Sequence, residues 1–464
     1  MKRIFYVFLF LLAGVCTYAQ QAKYVFFFIG DGMGVNQVNT TEMYLAAGQG
    51  RIGVEKLMFG SFPVAGIATS FSASNPITDS AAGGTALATG SKTYNGAIGV
   101  DAGKRSLRSI ATRAKASGKK VAVLTTVGIN HATPAAFYGH QPDRGMYDEL
   151  AKELPASNFD FFAGAGILRS GDKAVSLEPV IEEGGYAIAH GMDEYAAKSV
   201  QSDKILLLQE SGDDVNSLPY AIDRKNGDMT LAQMTEAAVG FLMKEKNKGF
   251  FLMAEGGKID WACHNNDLAT VVKEVIDFDN AVKVAYEFYK KHPKETLIVI
   301  SADHETGGLG MGISGYTLNL KALENQKVSQ EELSRRITDL RRNKDVSWEQ
   351  VKALLSETMG FWTELPLNWS QERALRDEYE KSFVQHKVEF TETLYARSES
   401  LAAVARKVMS QIARLGWTTG SHTPEFKYCA CRVEKIDDQK QAERDVKAQY
   451  AAIRARMGIE VKEV

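Results

Sequence analysis

Six short apolar runs between residues 24 and 300 constrain this chain more than any other feature. They are Tyr24–Ile29, Lys120–Leu124, Phe159–Phe162, Ile205–Leu208, Phe250–Met253 and Thr296–Ile300. Most lack the apolar–polar alternation of a strand with one wet face, so they read as strands covered on both sides, the setting of a parallel sheet. Helical patterns lie between them, at Leu107–Ser117, Leu231–Lys246 and Leu268–Lys290. Repeated β-α order predicts an α/β three-layer sandwich around a central, mostly parallel sheet.

Residues 320–400 differ from this frame. They are highly charged and carry two helix-start signals, Ser329 with Glu332 and Ser347 with Gln350, and Pro366 interrupts them. They read as a helical insertion, packed over the sheet edge or a partner subunit and without a metal-ligand cluster. The expected organisation is a leader over 1–19, the first part of a catalytic domain over 20–319, the insertion over 320–400 and a closing part over 401–464. A charged surface helix is expected over Asp437–Met457.

The leader is read from Met1-Lys2-Arg3, the apolar run Ile4–Val15 and the small residues before Gln20. A positive start, a short apolar core and a cut after Ala19 describe a secretory signal peptide. Lipidation at Cys16 is disfavoured by Val15 before it. The run is too short for a membrane span, and no second long apolar run follows. The chain therefore reads as exported, periplasmic or secreted. Cleavage would leave Cys263, Cys429 and Cys431, an odd number that is no disulfide scaffold. A formal charge of -2 without a basic patch excludes nucleic acid as a partner.

Chemistry-bearing residues fall where strands end, the edge at which α/β proteins bind ligands. Asp31 lies in Gly30–Gly34 after the first strand. Glu255, Asp260 and His264 follow the fifth, Asp303 and His304 follow the sixth, and His422 sits in a late loop. Each has an ordinary reading: a turn, a surface pair, a helix cap, a loop histidine. Their joint appearance at strand ends is harder to explain that way. Asp with His suits zinc, whereas Glu255 and Thr133 offer only oxygen, which suits magnesium. Ser80 opens a small-residue helix, beside free N–H groups and the positive end of the helix dipole, where a phosphate can rest. A serine N-cap is its ordinary reading. His140, His190, His292 and His386 have no ligand context.

The chain resembles alkaline phosphatases of the two-zinc, one-magnesium type. The resemblance rests on Phe28–Gly34, Thr78–Ala82, Thr89–Gly96, His131–Ala136, Glu255–Asp260, Ser301–Gly308 and Gly420–Thr423, which stand in the family's order. It implies a phosphoric monoester hydrolase acting through a phosphoserine on Ser80. Asp260, His264 and His422 would hold one zinc ion (Zn2+). Asp303 and His304 would hold the second, and Asp31 would bridge it to magnesium (Mg2+), whose set Thr133 and Glu255 complete. Arg144 would clamp the phosphate, although an ordinary surface pairing with Asp143 or Asp148 is the reading without the resemblance. His131 and Trp261 stand at positions where the family varies, His131 beside the magnesium waters. Small phosphate monoesters are the implied substrates, and a homodimer is a possible assembly. The stretch Pro424–Val464 is unlike the family's usual ending.

Three other readings stand beside it. A phosphodiesterase of this fold would usually lack the magnesium set and the arginine. A sulfatase needs a different motif after its nucleophile than Ala81-Ala82-Gly83. An inactive metal- or phosphate-binding exported protein would not need every ligand and the serine together.

Overall fold

The computed structural model describes residues 22–433, apart from 172–174, 211–215, 245–247, 314, 344, 393, 394 and 396. The expected leader and the expected helix over Asp437–Met457 lie outside the described residues. The central sheet contains β1 (Tyr24–Gly30), β2 (Val64–Ala68), β3 (Lys120–Thr125), β4 (Phe161–Gly164), β5 (Ala187–His190), β6 (Ile205–Leu208), β7 (Phe250–Gly256), β8 (Thr296–Ser301) and β9 (Lys427–Val433). Their order is β2-β9-β8-β1-β7-β3-β4-β6-β5. Every pairing from β8 to β5 is parallel, whereas β9 runs antiparallel to both β8 and β2. The expected α/β sandwich with a mostly parallel sheet is the fold.

Register decides where the chemistry falls. Ile29 of β1 sits opposite Glu255 of β7 on one side and Ser301 of β8 on the other. Thr125 of β3 also pairs with Glu255. The carboxyl ends of four adjacent strands are therefore level, and the loops after them open at one edge.

Both faces of the sheet are packed, which is why the strand sequences show no alternation. Phe26 and Phe28 point to one face, where Phe28 meets Phe278 edge-on at 5.9 Å and Phe26 meets Phe288 at 5.5 Å. Phe27 points to the other and meets Phe137 at 6.1 Å. Each fully buried ring stabilises the fold by about 1.5–3 kcal/mol relative to an exposed one. Phe278 and Phe288 belong to the long helix Leu268–Lys291, whose opposite side supplies Leu268, Ala269 and Val272 to a second core.

That second core holds the inner faces of the insertion. Its helices are Gln330–Arg341, Trp348–Met359 and Trp369–Tyr379. Two start as expected, with Ser329 accepting from the Glu332 N–H at 3.1 Å and Ser347 from the Gln350 N–H at 3.3 Å. Pro366 lies between the second and third. The insertion is not purely helical, because Phe390–Glu392 and Arg397–Glu399 pair as antiparallel strands.

Three elements have ends that differ from the expected ones, one of them through a cap. The helix expected from Leu107 begins at Ile110, because the Ser109 hydroxyl accepts from the Thr112 N–H at 3.0 Å. The helix expected over Leu231–Lys246 is Leu231–Leu242, and the strand expected over Phe159–Phe162 is Phe161–Gly164. No described helix is long and apolar enough to cross a membrane.

Candidate metal centre

Asp31, Ser80, Thr133, Glu255, Asp260, Asp303 and His304 converge at the level strand ends, each 1% exposed or less. Close backbone approach makes this possible. Gly32, at a φ of 67°, has room for no side chain, since a Cβ there would lie 2.7 Å from an Asp260 carboxylate oxygen. Gly83 lets the helix Ser80–Thr89 lie against the Asp303 segment, where a Cβ would sit 3.1 Å from the Asp303 Cβ.

Ser80 is not the N-cap of its helix. Asp79 takes that role, accepting from the Ala82 N–H at 3.0 Å. The Ser80 hydroxyl is thereby left to face the site, 3.1 Å from His304 Nε2 and 3.5 Å from Asp31 Oδ1. The same His304 nitrogen lies 3.2 Å from Asp303 Oδ2 and 3.4 Å from Asp31 Oδ1. Both carboxylates thus crowd the nitrogen that faces the serine. A serine–histidine–aspartate triad would put its carboxylate on the opposite nitrogen, where His304 Nδ1 meets only the Thr306 hydroxyl at 3.2 Å. This is not the geometry of a general-base triad, and it fits residues that could hold a shared cation.

A second group gathers around Asp260. His264, one helical turn on, brings Nε2 within 3.2 Å of Asp260 Oδ2, and His422 Nε2 lies 3.7 Å from Asp260 Oδ1. His264 Nδ1 donates to the Gly420 carbonyl at 2.7 Å, and His422 Nδ1 donates to the Thr78 carbonyl at 3.0 Å. Those carbonyls fix both tautomers. The two Nε2 atoms then direct lone pairs at one another across 3.2 Å. Bare nitrogens at that distance repel, and the conflict is removed either by a cation between them or by the proton that Asp260 favours on His264. Among the described residues, Asp260, His304 and His422 form one metal-competent cluster and Asp31, Asp303 and His304 another. His304 belongs to both, a sharing that the sequence division into two ligand sets does not contain.

The oxygen-only side is built from Thr133, whose hydroxyl donates to Asp31 Oδ2 at 3.3 Å, and from Glu255, which accepts from the Thr125 hydroxyl. Glu255 Oε1, Asp260 Oδ2 and Asp303 Oδ2 are buried without a hydrogen-bond partner. Such oxygens are costly to bury unless they bind something.

The electrostatics agree. Burial raises Asp31 well above the usual carboxylate range, with Asp303, Asp260 and Glu255 adding to it. Burial, with Asp260 next, raises Asp303 to about 6. Burial also raises Glu255 to about 7, reinforced by Asp303 and opposed by its hydrogen bonds. Burial pushes Asp260 up too, but His264, His422 and His304 outweigh it and hold it below the ordinary range. His304 is driven well below its usual value by burial and by His422. The residues present fit divalent cations.

Arg144 reaches Asp79, the residue before Ser80. Its Nη1 donates to Asp79 Oδ2 at 3.2 Å, so it pairs with neither Asp143 nor Asp148, the partners of its ordinary surface reading. Its Nη2 donates to His131 Nε2 at 3.2 Å and to the Tyr395 hydroxyl at 2.8 Å. His131 is kept neutral by burial and by Arg144, its pKa lowered to about 3. Since Nε2 accepts, the ring proton sits on Nδ1, which is buried and unpartnered. Trp261 stacks on Tyr395 at 4.7 Å and 11°.

Tyr395, Thr306 and Thr125 are site residues that sequence reasoning missed. Thr306 bonds Asp260 and His304 from inside the Ser301–Gly308 motif and was available there. Tyr395 belongs to the insertion, and nothing in its local sequence points to the site.

A mostly parallel α/β sheet with this buried Asp/His/Glu cluster beside a helix-start serine defines a metal-dependent phosphatase. The family model described as alkaline phosphatase matches residues 22–163 and 194–426, and the chain belongs to that family. It is 38% identical to alkaline phosphatase 4 of Bacillus subtilis over 277 residues, which span 58% of this chain and 58% of that relative. Alkaline phosphatase 3 of the same organism is 30% identical over 414 residues, 87% of this chain and 82% of the relative. The cold-active alkaline phosphatase from a psychrophilic Shewanella species superposes with a TM-score of 0.74 at 30% identity, covering 89% of this chain and 94% of that one. The Thermus thermophilus alkaline phosphatase shares the fold, with a TM-score of 0.73 at 23% identity over 90% of this chain and 87% of that one.

Proposed function

We propose that this chain hydrolyses phosphate monoesters outside the cytoplasm through a phosphoserine on Ser80, with two zinc ions and one magnesium ion. The observation that carries the metal reading is the pair of buried ligand clusters, Asp260 with His304 and His422 and Asp31 with Asp303 and His304, beside carboxylate oxygens of Glu255, Asp260 and Asp303 that have no hydrogen-bond partner. Asp260, His264 and His422 would hold one zinc, and Asp303, His304 and Asp31 the other. Asp31, Thr133 and Glu255 would hold magnesium. Bound there, the ions supply Lewis-acid stabilisation of oxygen anions and neutralise a site rich in carboxylates.

The chain's own groups do the rest. The first turn of the helix Ser80–Thr89 aims N–H groups and the positive helix end at an incoming phosphate. Arg144, anchored by Asp79, orients it. The Ser80 oxygen attacks phosphorus as its proton is lost. The Oγ–P bond forms, the bond to the leaving oxygen breaks, and the departing alcohol takes up a proton. Water then attacks the phosphoserine, a new P–O bond forms as the Oγ–P bond breaks, and Ser80 Oγ takes up a proton that the water has given up. Transfer of this kind depends mainly on positioning and charge.

The test is acid trapping of labelled phosphate. Label should appear on Ser80 and vanish in Ser80→Ala, whose metal content stays normal and whose turnover falls by several orders of magnitude. Label on another residue refutes the nucleophile, and faster turnover of a diester than of a monoester refutes the substrate class.

A further inference from the structure

Arg144 cannot grip a phosphate with two hydrogen bonds while Tyr395 stays where it is. A guanidinium offers two edges for a two-point grip, Nη1 with Nη2 and Nε with Nη2, and both include Nη2. Nη2 has two hydrogens. One is engaged by His131 Nε2 at 3.2 Å and the other by the Tyr395 hydroxyl at 2.8 Å. A phosphate oxygen must therefore replace one of these acceptors.

His131 is the fixed one. It is 2% exposed and caps the short helix Ala132–Ala135 beside Thr133. Tyr395 comes from the insertion and is held by other means. Its ring stacks on Trp261 and meets His131 and His264 edge-on at 5.5 and 5.4 Å. Those ring contacts do not need the hydroxyl. The Tyr395 hydroxyl, although it makes the shorter bond to Arg144, is therefore the acceptor that a phosphate can displace.

We propose that the Tyr395 hydroxyl is a built-in competitor for the phosphate clamp. It holds the guanidinium in orientation between turnovers, yields its position on Nη2 to a phosphate oxygen, and reclaims it as product leaves. Tyr395 thus acts through Arg144 as a positioning residue that weakens phosphate retention, by a competition internal to the chain. This rests on the reading of Arg144 as the clamp.

The test uses the metal-loaded protein and inorganic phosphate. Tyr395→Phe keeps the stack on Trp261 and deletes only the competing oxygen. Calorimetric phosphate affinity should tighten about five- to tenfold, because a hydrogen bond to a charged donor is no longer exchanged on binding. The inhibition constant for phosphate and the KM for a monoester should fall together. Unchanged or weaker phosphate binding by a folded Tyr395→Phe protein overturns the proposal, weaker binding meaning that the hydroxyl contacts phosphate itself. Arg144→Ala is the separate control. If it leaves phosphate binding intact, the clamp reading fails. If it abolishes binding while Tyr395→Phe does not tighten it, only the competition fails.

Discussion

Removing the metals should leave a protein whose stability falls as pH rises above neutrality. The cause is the set of buried carboxyls. Burial and neighbouring acids raise Asp31 well above its usual value, and Glu255 is raised to about 7. In an unfolded chain such groups titrate near pH 4 (~3.9 for Asp, ~4.3 for Glu). The folded, metal-free protein therefore keeps protons that the unfolded chain has lost. Their stabilising contribution is complete below the unfolded values and disappears as pH climbs through the folded ones.

His264, which burial lowers but Asp260 raises on balance, acts in the same direction. His304 and His131 act the other way, because burial keeps them neutral where the unfolded chain takes up protons. That opposition ends above about pH 6.5, where unfolded histidine is neutral too. Asp260, held low, matters only in strong acid.

Between about pH 7 and 8 the carboxyls therefore dominate. A group half-protonated in the folded state gives a slope of about 0.7 kcal/mol per pH unit, and a fully protonated one about 1.4 kcal/mol. Glu255 alone should remove about 0.7 kcal/mol per pH unit near pH 7, and Asp31 acts in the same direction. Urea unfolding in chelator, at constant ionic strength from about pH 6.5 to 8.5, measures this against the zinc- and magnesium-loaded protein. A flat or rising stability in chelator refutes the argument, as does the same fall in the loaded protein.

Three further outcomes are expected. Arg144→Ala should lower monoester efficiency by roughly ten- to a hundredfold, the worth of one charge-assisted pair. Parallel kinetics on a diester should show a much smaller loss, and equal losses would mean that Arg144 does not read the extra phosphate charge. Gly83→Ala gains about 1 kcal/mol of helix propensity but forces contact with Asp303, and overpacking costs about 1–3 kcal/mol. Its zinc content after dialysis should fall more than its melting temperature, and normal zinc retention would show that the contact relaxes freely. His131→Asp replaces a neutral ring with a carboxylate beside the oxygen-only ligands, so magnesium should bind about 10–100-fold more tightly. Magnesium titration of zinc-loaded wild type and variant measures it, and an unchanged midpoint removes His131 from that role.

The sheet edge was legible because Asp31, Glu255 and Asp303 each follow an apolar run covered on both faces. Run and ligand could be read together. Thr133 has no such signal and was read from its oxygen chemistry alone, and Arg144 came only through the resemblance. β2 escaped notice because Val64 and Ile67 are exposed on an edge strand, with Gly66 between them. β9 reads Lys427-Tyr428-Cys429-Ala430-Cys431-Arg432-Val433, which has too few branched apolar residues to look like sheet interior. Tyr395 was illegible for another reason. Its partners Arg144 and Trp261 are distant in sequence, and no local periodicity encodes a contact made by an insertion folding back.

The antiparallel strand β9 also sets an order of events. A growing chain delivers Asp31 early and His422 near the end of its described length, and β8 lacks its outer neighbour until Lys427–Val433 arrives. Until then the three carboxylates Asp31, Asp260 and Asp303 stand without the imidazole that faces His264. His422 lies only a few residues before the segment that closes the sheet, so the imidazole facing His264 and the last sheet strand are delivered together. The outer edge of the sheet and the His264–His422 face of the site are thereby completed by one stretch of chain.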